Sequence, residues 1–236
     1  MLYFWRNIMI KKLTGYFTKF ELCLYSSSVL FILLSFVIFD RANYLSLVSS
    51  LIGVTCLTFG AKGNPISHVL TIIFSLLYGV ISYSFSYYGE MITYLGMTLP
   101  MSAYGLYTWT KNLYKGNKHE VTVSHVSKSV IIKMFVYTAL VTLAFYFILK
   151  ALDTKNLFFS TISVTTSFAA VYLCAKRSPY FALAYALNDI VLIILWTLAA
   201  ITDISYLSVI ICFVVFLIND MYAFINWRRM RKRQEQ

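Results

Sequence analysis

Acidic residues are scarce in this chain. Only 9 of its 236 residues are Asp or Glu, against 20 Lys and Arg, and charged residues make up 12% in all. A soluble domain carries about twice that share, so the composition excludes a soluble enzyme and a disordered chain. Glycine and proline are also rare, at 9 and 3, which argues against a β-barrel of many turns and alternating strands. Four cysteines, Cys23, Cys56, Cys174 and Cys212, form no CxxC pair. They read as packed thiols rather than a disulfide framework or metal ligands. No HExxH, Walker A or GxSxG motif is present, so the usual hydrolytic and nucleotide chemistries lack their residues. What is abundant is apolar: 60% hydrophobic residues and a mean hydropathy of +0.74. The class that remains is an all-α integral membrane protein.

Eight apolar runs are long enough to cross a bilayer: 22–39, 43–60, 66–84, 91–109, 130–150, 157–175, 180–200 and 205–226. Each gives about 27–33 Å of helix, the thickness of a hydrocarbon core. Eight crossings put both termini on one side. Seventeen of the 20 Lys and Arg fall on that side, while Arg41, Lys150 and Lys155 fall on the other. The positive-inside bias makes the shared side cytoplasmic, N-in and C-in. Asp40, Glu90, Asp153 and Asp203 mark the outer loops. The net charge of +11 is then a matter of topology and anionic lipid, not of nucleic acid. Met1–Phe20, with Arg6, Lys11, Lys12 and Lys19, reads as an amphipathic cytoplasmic lead-in rather than a cleaved signal.

Two stretches of the chain match. Ala61-Lys62 closes the second span and Ala175-Lys176 the sixth, 114 residues apart. Tyr104…Trp109 ends the fourth span and Tyr222…Trp227 the eighth, 118 residues apart. Both are Tyr-x4-Trp followed by basic residues. Spans 2–4 therefore repeat as spans 6–8 in the same orientation, with span 5 as the linker and span 1 as an addition. The expected division is 1–42 for the lead-in and extra helix, and 43–112 for the first three-helix repeat. A cytoplasmic loop and linker helix follow over 113–156, then the second repeat and basic tail over 157–236. Parallel repeats of this kind build transporters with a midplane site between the repeats.

The repeats also align their polar stripes. Thr71, Ser75, Tyr78 and Ser82 share one face of span 3, and Tyr185, Asp189, Leu192 and Trp196 occupy the matching face of span 7. Tyr94, Met97, Met101, Tyr104 and Thr108 share a face of span 4. Their counterparts on span 8 are Cys212, Val215, Asn219, Tyr222 and Asn226. A carboxylate at the bilayer centre costs roughly 2.5–3.5 kcal/mol and needs a cavity or a partner. Asp189, beside Asn188, is read as facing the pathway, with an interhelical polar clamp as the alternative. Asp220, one position round from the Asn219 stripe, is read as structural. Trp196 fits either an interfacial belt or a stacking wall. Trp5, Tyr87, Tyr88 and Trp227 fit belts. Asp189 and Asp220 are expected at different depths, which argues against an intramembrane aspartyl enzyme. No catalytic residue, cofactor or metal is expected. The candidate substrate-binding residues are Asn219, Tyr222, Asn188, Asp189, Trp196, Tyr104, Tyr185, Ser75, Tyr78 and Asn226.

These residues resemble the PnuC family of vitamin transporters, which take up nicotinamide riboside. The similar segments are Gly60-Ala-Lys-Gly-Asn64, Tyr87-Tyr-Gly-Glu90, Tyr104…Trp109, Asn188-Asp189 followed by Trp196, and Asn219-Asp-Met-Tyr222 leading into Trp227-Arg-Arg229. The likeness covers about 43–230. It implies a 3+1+3 bundle similar to a full-length SWEET fold, assembled as a homotrimer in the bacterial cytoplasmic membrane. It further implies facilitated diffusion of the small-molecule vitamin, with a cytoplasmic kinase trapping it. The family's Trp-x-x-Trp pair is absent here, where the stretch reads Tyr180-Phe-Ala-Leu-Ala-Tyr185. Rival readings are a thiamine or nucleoside facilitator, a proton-coupled carrier using Asp189, and a membrane-embedded enzyme or structural subunit.

Overall fold

The structure, a computed structural model, describes residues 15–84, 87–154 and 156–236. Most of the expected lead-in, Trp5 and Lys155 lie outside the described residues. Helices α1 (Lys19–Phe39), α2 (Tyr44–Ala61) and α3 (Ile66–Ser84) come first. Three consecutive pieces, Tyr88–Ile92, Thr93–Thr98 and Leu99–Lys111, together form α4. Then follow α5 (Lys128–Ala151), α6 (Leu157–Ala175), α7 (Tyr180–Ala200) and α8 (Leu207–Gln234). Seven of the eight are long and apolar enough to cross a membrane as they stand. The exception is α4, whose middle piece is a π-helical turn. Pro100 explains it: without an N–H it cannot close on the carbonyl of Gly96, and its ring crowds that carbonyl. Leu99 N instead reaches back five residues to Tyr94 O.

The helix ends follow from local chemistry. Thr18 starts α1 with a capping box: its hydroxyl accepts from Glu21 N at 3.2 Å, and Glu21 Oε2 accepts from Thr18 N at 2.7 Å. Asn43 caps α2 through Ser46 N at 3.1 Å. Between α2 and α3 the chain turns through Gly63, whose φ of 68° lies in the left-handed region glycine adopts freely. Between α6 and α7, Arg177 takes the same turn with φ 57°. Gly63 N bonds Gly60 O and Arg177 N bonds Cys174 O, both at 2.9 Å. Before the last helix, Asp203 accepts from Ser205 N at 2.9 Å, which holds its carboxyl below the usual carboxylate range. The last helix runs without a break through the expected basic tail as far as Gln234. There Gln234 Oε1 accepts from Val123 N at 2.8 Å, tying the helix to the loop after α4.

Packing places α2 against α3 and α8, α4 against α3 and α6, and α7 between α6 and α8. The added helix α1 lies on α2 and α8. The linker α5 packs on α6, buries Leu149 against α4, and is otherwise largely open, with 6% of its apolar stretch buried. Inside a membrane, helices associate by close packing and hydrogen bonds rather than by escape from water. Reciprocal bonds supply part of this. Trp109 Nε1 donates to Cys174 O at 2.9 Å, and Trp227 Nε1 donates to Gly60 O at 2.8 Å. Thr108 Oγ1 donates to Ala175 O at 3.1 Å, and Asn226 Nδ2 to Ala61 O at 2.8 Å. Each pair joins the end of one three-helix set to the end of the other.

Two aromatic clusters result. One gathers Phe74, Tyr78, Trp196, Phe213 and Phe216. The other gathers Trp109, Phe181 and Trp227 at the basic end of the bundle. Trp227 and Tyr87 are therefore buried, not belt residues. Glu90 is no loop carboxylate either. It is buried in the first turn of α4, and its Oε2 has no hydrogen-bond partner.

Candidate functional site

Between the two clusters the helices enclose a cavity of about 100 Å³. Its walls come from α2, α3, α4, α6, α7 and α8, and among the described residues neither α1 nor α5 contributes. The six contributing helices are those of the two expected repeats.

Polar groups reach the cavity from α3, α4, α6, α7 and α8, and α7 supplies the pair Asn188 and Asp189. Asn188 Oδ1 accepts from Thr166 Oγ1 at 2.8 Å, Ser167 Oγ at 3.0 Å and Ser163 Oγ at 3.4 Å. In this orientation of the amide its oxygen is held by the hydroxyls of α6. The NH2 group is left as the donor a ligand can use. One residue on, Asp189 faces Asp220 of α8 closely enough for the two carboxyls to interact directly. Their expected separation in depth is thus wrong, and Asp220 belongs to the cavity rather than to the scaffold. Its place on the cavity wall is angular: residue 220 is turned about 100° from residue 219, whose side chain meets α1. Opposite, His68 is buried with its ring edge-on to Trp109 at 4.4 Å, and its Nε2 has no partner. Cys56 Sγ and Thr71 Oγ1 meet at 2.9 Å on the α2–α3 wall. Aromatic faces come from Phe74, Tyr94, Phe181 and Tyr185.

Of the ten candidates, Tyr185, Asn188 and Asp189 line this cavity. The rest lie elsewhere. Asn219 Nδ2 donates to Ser28 Oγ of α1 at 3.0 Å and to Val215 O at 2.8 Å. Tyr222 OH donates to Glu21 Oε1 of α1 at 2.8 Å, and Lys62 Nζ meets the other oxygen of Glu21 at 3.2 Å. Asn226 is committed to the end of α2. Trp196 is buried between Tyr87 and Tyr206, at 5.0 and 5.4 Å between ring centroids, beyond the cavity. Tyr78 packs on Tyr94 at 4.5 Å in the same cluster, and Ser75 is fully buried without a hydrogen-bond partner. Tyr104 is exposed on the outer face, beside Lys133 and Tyr137 of α5.

Sequence reasoning missed His68, Thr98, Ser102 and Asp220 as cavity residues. A signal existed for two of them: Tyr94, Thr98 and Ser102 recur every four residues, a polar row on one helix face.

The arrangement is a chamber between helices with aromatic walls, hydroxyl groups, one amide and two carboxyls. Paired carboxyls are also the equipment of aspartyl hydrolysis, so the geometry does not separate transport from that chemistry. Comparison with known proteins does. A family model described as nicotinamide mononucleotide transporter matches residues 43–229. The nicotinamide riboside transporter PnuC of Neisseria mucosa is 27% identical over 205 residues, covering 83% of this chain and 76% of that protein. Its counterpart from Haemophilus influenzae is 26% identical over 195 residues, covering 81% and 82%. A crystal structure of the vitamin B3 transporter PnuC superposes with a TM-score of 0.80 at 24% identity, covering 92% of this chain and 94% of that one.

Proposed function

Because the chain belongs to the nicotinamide mononucleotide transporter family, we propose that it carries nicotinamide riboside through the membrane by facilitated diffusion. The observation that carries this reading is the cavity between the six helices, which mixes aromatic rings with polar groups from several of them. The ligand is a flat cationic pyridinium with an amide and a ribose diol. Aromatic faces attract such a cation by about 0.5–2 kcal/mol per contact, and Tyr94, Phe181 and Tyr185 offer them. The Asn188 NH2 group suits the ligand's amide oxygen or a ribose hydroxyl. The space of about 100 Å³ is below the roughly 300–1,000 Å³ of ligand pockets. Loading therefore goes with outward movement of the lining rings.

The rest of the reading is proposed with it. Residues 43–112 and 157–236 form two parallel repeats, with 113–156 as the linking section and 1–42 as the addition. Both termini face the cytoplasm, as the distribution of Lys and Arg favours. A facilitator only equalises concentrations, so retention falls to a separate cytoplasmic kinase that adds phosphate charge to the riboside. The open face of α5 is available to neighbouring copies in a homotrimer.

The test is thermal stability of the detergent-purified protein with nicotinamide riboside, thiamine, nicotinamide or uridine. A ligand at 100 times its Kd stabilises the folded state by about 2.7 kcal/mol. A shift with nicotinamide riboside, absent with nicotinamide and uridine, is the expected result. A shift with thiamine alone, or with none of the four, overturns the substrate.

A further inference from the structure

Away from the cavity, the linker α5 meets α4 unevenly. At the end far from the basic tail, Leu149 packs against α4 beside Gly89 and is fully buried. Towards the basic end a cleft of about 370 Å³ opens between α4 and α5, with α6 on its third side. Tyr104 of α4, Lys133 and Tyr137 of α5, and Tyr172 and Lys176 of α6 line it. Among the described residues neither lysine has a carboxylate within ion-pair distance. No acidic side chain lines the cleft. Tyr172 is 8% exposed, and its ring lies 6.2 Å from that of Tyr137. Lys176 Nζ stands 5.7 Å from the centre of the Tyr172 ring. Met101 and Phe168 add apolar surface.

Depth and charge indicate what fills this gap. Lys133 lies about 7.5 Å along α5 from its start at Lys128, and Tyr104 about 10 Å along α4 from its end at Lys111. Lys176 caps α6. These depths match the interfacial layer between the hydrocarbon core and water. A gap that opens on the bilayer there is filled by lipid, and two unpaired ammonium groups select one with negative charge. Each ammonium is a strong donor to a phosphate oxygen. A phenol donates to a phosphate or ester oxygen while its ring borders the chains. We propose that the cleft binds one anionic phospholipid of the leaflet at the basic end. Lys133 and Lys176 take its phosphate, the phenols its ester oxygens, and Met101 and Phe168 the start of an acyl chain. The bound lipid joins the linker to one helix of each three-helix set, across a gap that the protein leaves open. This goes beyond the substrate reading and does not depend on it.

Thermal unfolding of the delipidated full chain in detergent decides this, with phosphatidylglycerol, phosphatidylcholine or inorganic phosphate added. Phosphatidylglycerol should raise the melting temperature saturably by a few degrees, by mass action, and the other two should not. Lys133→Gln/Lys176→Gln should lose most of that rise. Lys115→Gln/Lys118→Gln, which removes the same charge from the loop after α4, should keep it. An equal loss in both pairs makes the effect one of net charge and overturns the site. So does an equal rise with phosphatidylcholine. A rise with inorganic phosphate alone assigns the cleft to a free anion and overturns the lipid. A melting temperature that climbs with protein concentration and not with lipid gives the cleft to a second copy. Native mass spectrometry of the wild type, released from a bilayer of equal parts phosphatidylglycerol and phosphatidylcholine, needs no variant. One retained phosphatidylglycerol per chain is expected, and retention without preference overturns the proposal.

Discussion

Positions 188 and 219 carry the same side chain in opposite circumstances. The Asn188 oxygen is held by three hydroxyls while its NH2 group faces a cavity. The Asn219 NH2 group is already spent on Ser28 and Val215. Asn188→Ala should weaken nicotinamide riboside binding about tenfold, the worth of one hydrogen bond to a charged or well-oriented partner. Asn219→Ala should leave affinity within about twofold and lower the melting temperature, at a cost near the roughly 0.6–1.7 kcal/mol of an interhelical bond in a membrane. Calorimetric affinity and thermal unfolding on both variants check this. Loss of affinity in Asn219→Ala with unchanged stability would return that residue to the site. The contrast also explains what the sequence could reveal at this scale. Polarity on a helix face marks a side chain that needs a partner, but not whether the partner is ligand or protein. Asn219, Tyr222 and Asn226 meet that need within the protein, against α1, α2 and, for Asn219, its own helix.

At the scale of elements, length and hydropathy made all eight helices legible, because a bilayer imposes both. The break in α4 was less so. A single proline in an apolar run does not announce whether it kinks, bulges or ends a helix, and that depends on what the neighbours absorb. Here the π-helical turn Thr93–Thr98 brings Tyr94 and Thr98 to the cavity. Below it, α4 approaches α3 closely enough that a Cβ at Gly105 would overlap the His68 imidazole, within 2.8 Å of its Nδ1. Gly105→Ala should therefore push His68 off its edge contact with Trp109 and narrow the cavity. A several-fold loss of affinity, with helical content unchanged by circular dichroism, is expected. Affinity equal to wild type would mean that His68 moves without consequence for the ligand.

For the whole molecule, the bonds of Trp109 and Trp227 tie each three-helix set to the other, and the two indoles meet at 5.3 Å. Phe181 leans on both, at 6.4 and 4.9 Å. Together they cover the cavity at the basic end, which is the cytoplasmic one in the proposed topology. If the sets are related as repeats, the two tryptophans should be equivalent. Trp109→Phe and Trp227→Phe each remove one bond and should each cost about 1 kcal/mol. The double variant should depart from the sum, because the rings touch. The same seal protects Cys174, a buried thiol on the cavity wall whose own carbonyl accepts the Trp109 bond. In a Cys23→Ser, Cys56→Ser background, where the exposed thiol and the half-buried one on the same cavity wall are gone, a membrane-impermeant maleimide should leave Cys174 unlabelled when both tryptophans are present. It should label Cys174 in the double tryptophan variant only from the cytoplasmic face, in inverted vesicles. Labelling from the outer face would reverse the topology. Labelling from neither face would mean that Phe181 and the carbonyl-bonded turn at Arg177 hold the end closed without the indoles. The two measurements separate a gate made of paired tryptophans from one made of backbone, a distinction that a count of aromatic residues in the sequence has no means to draw.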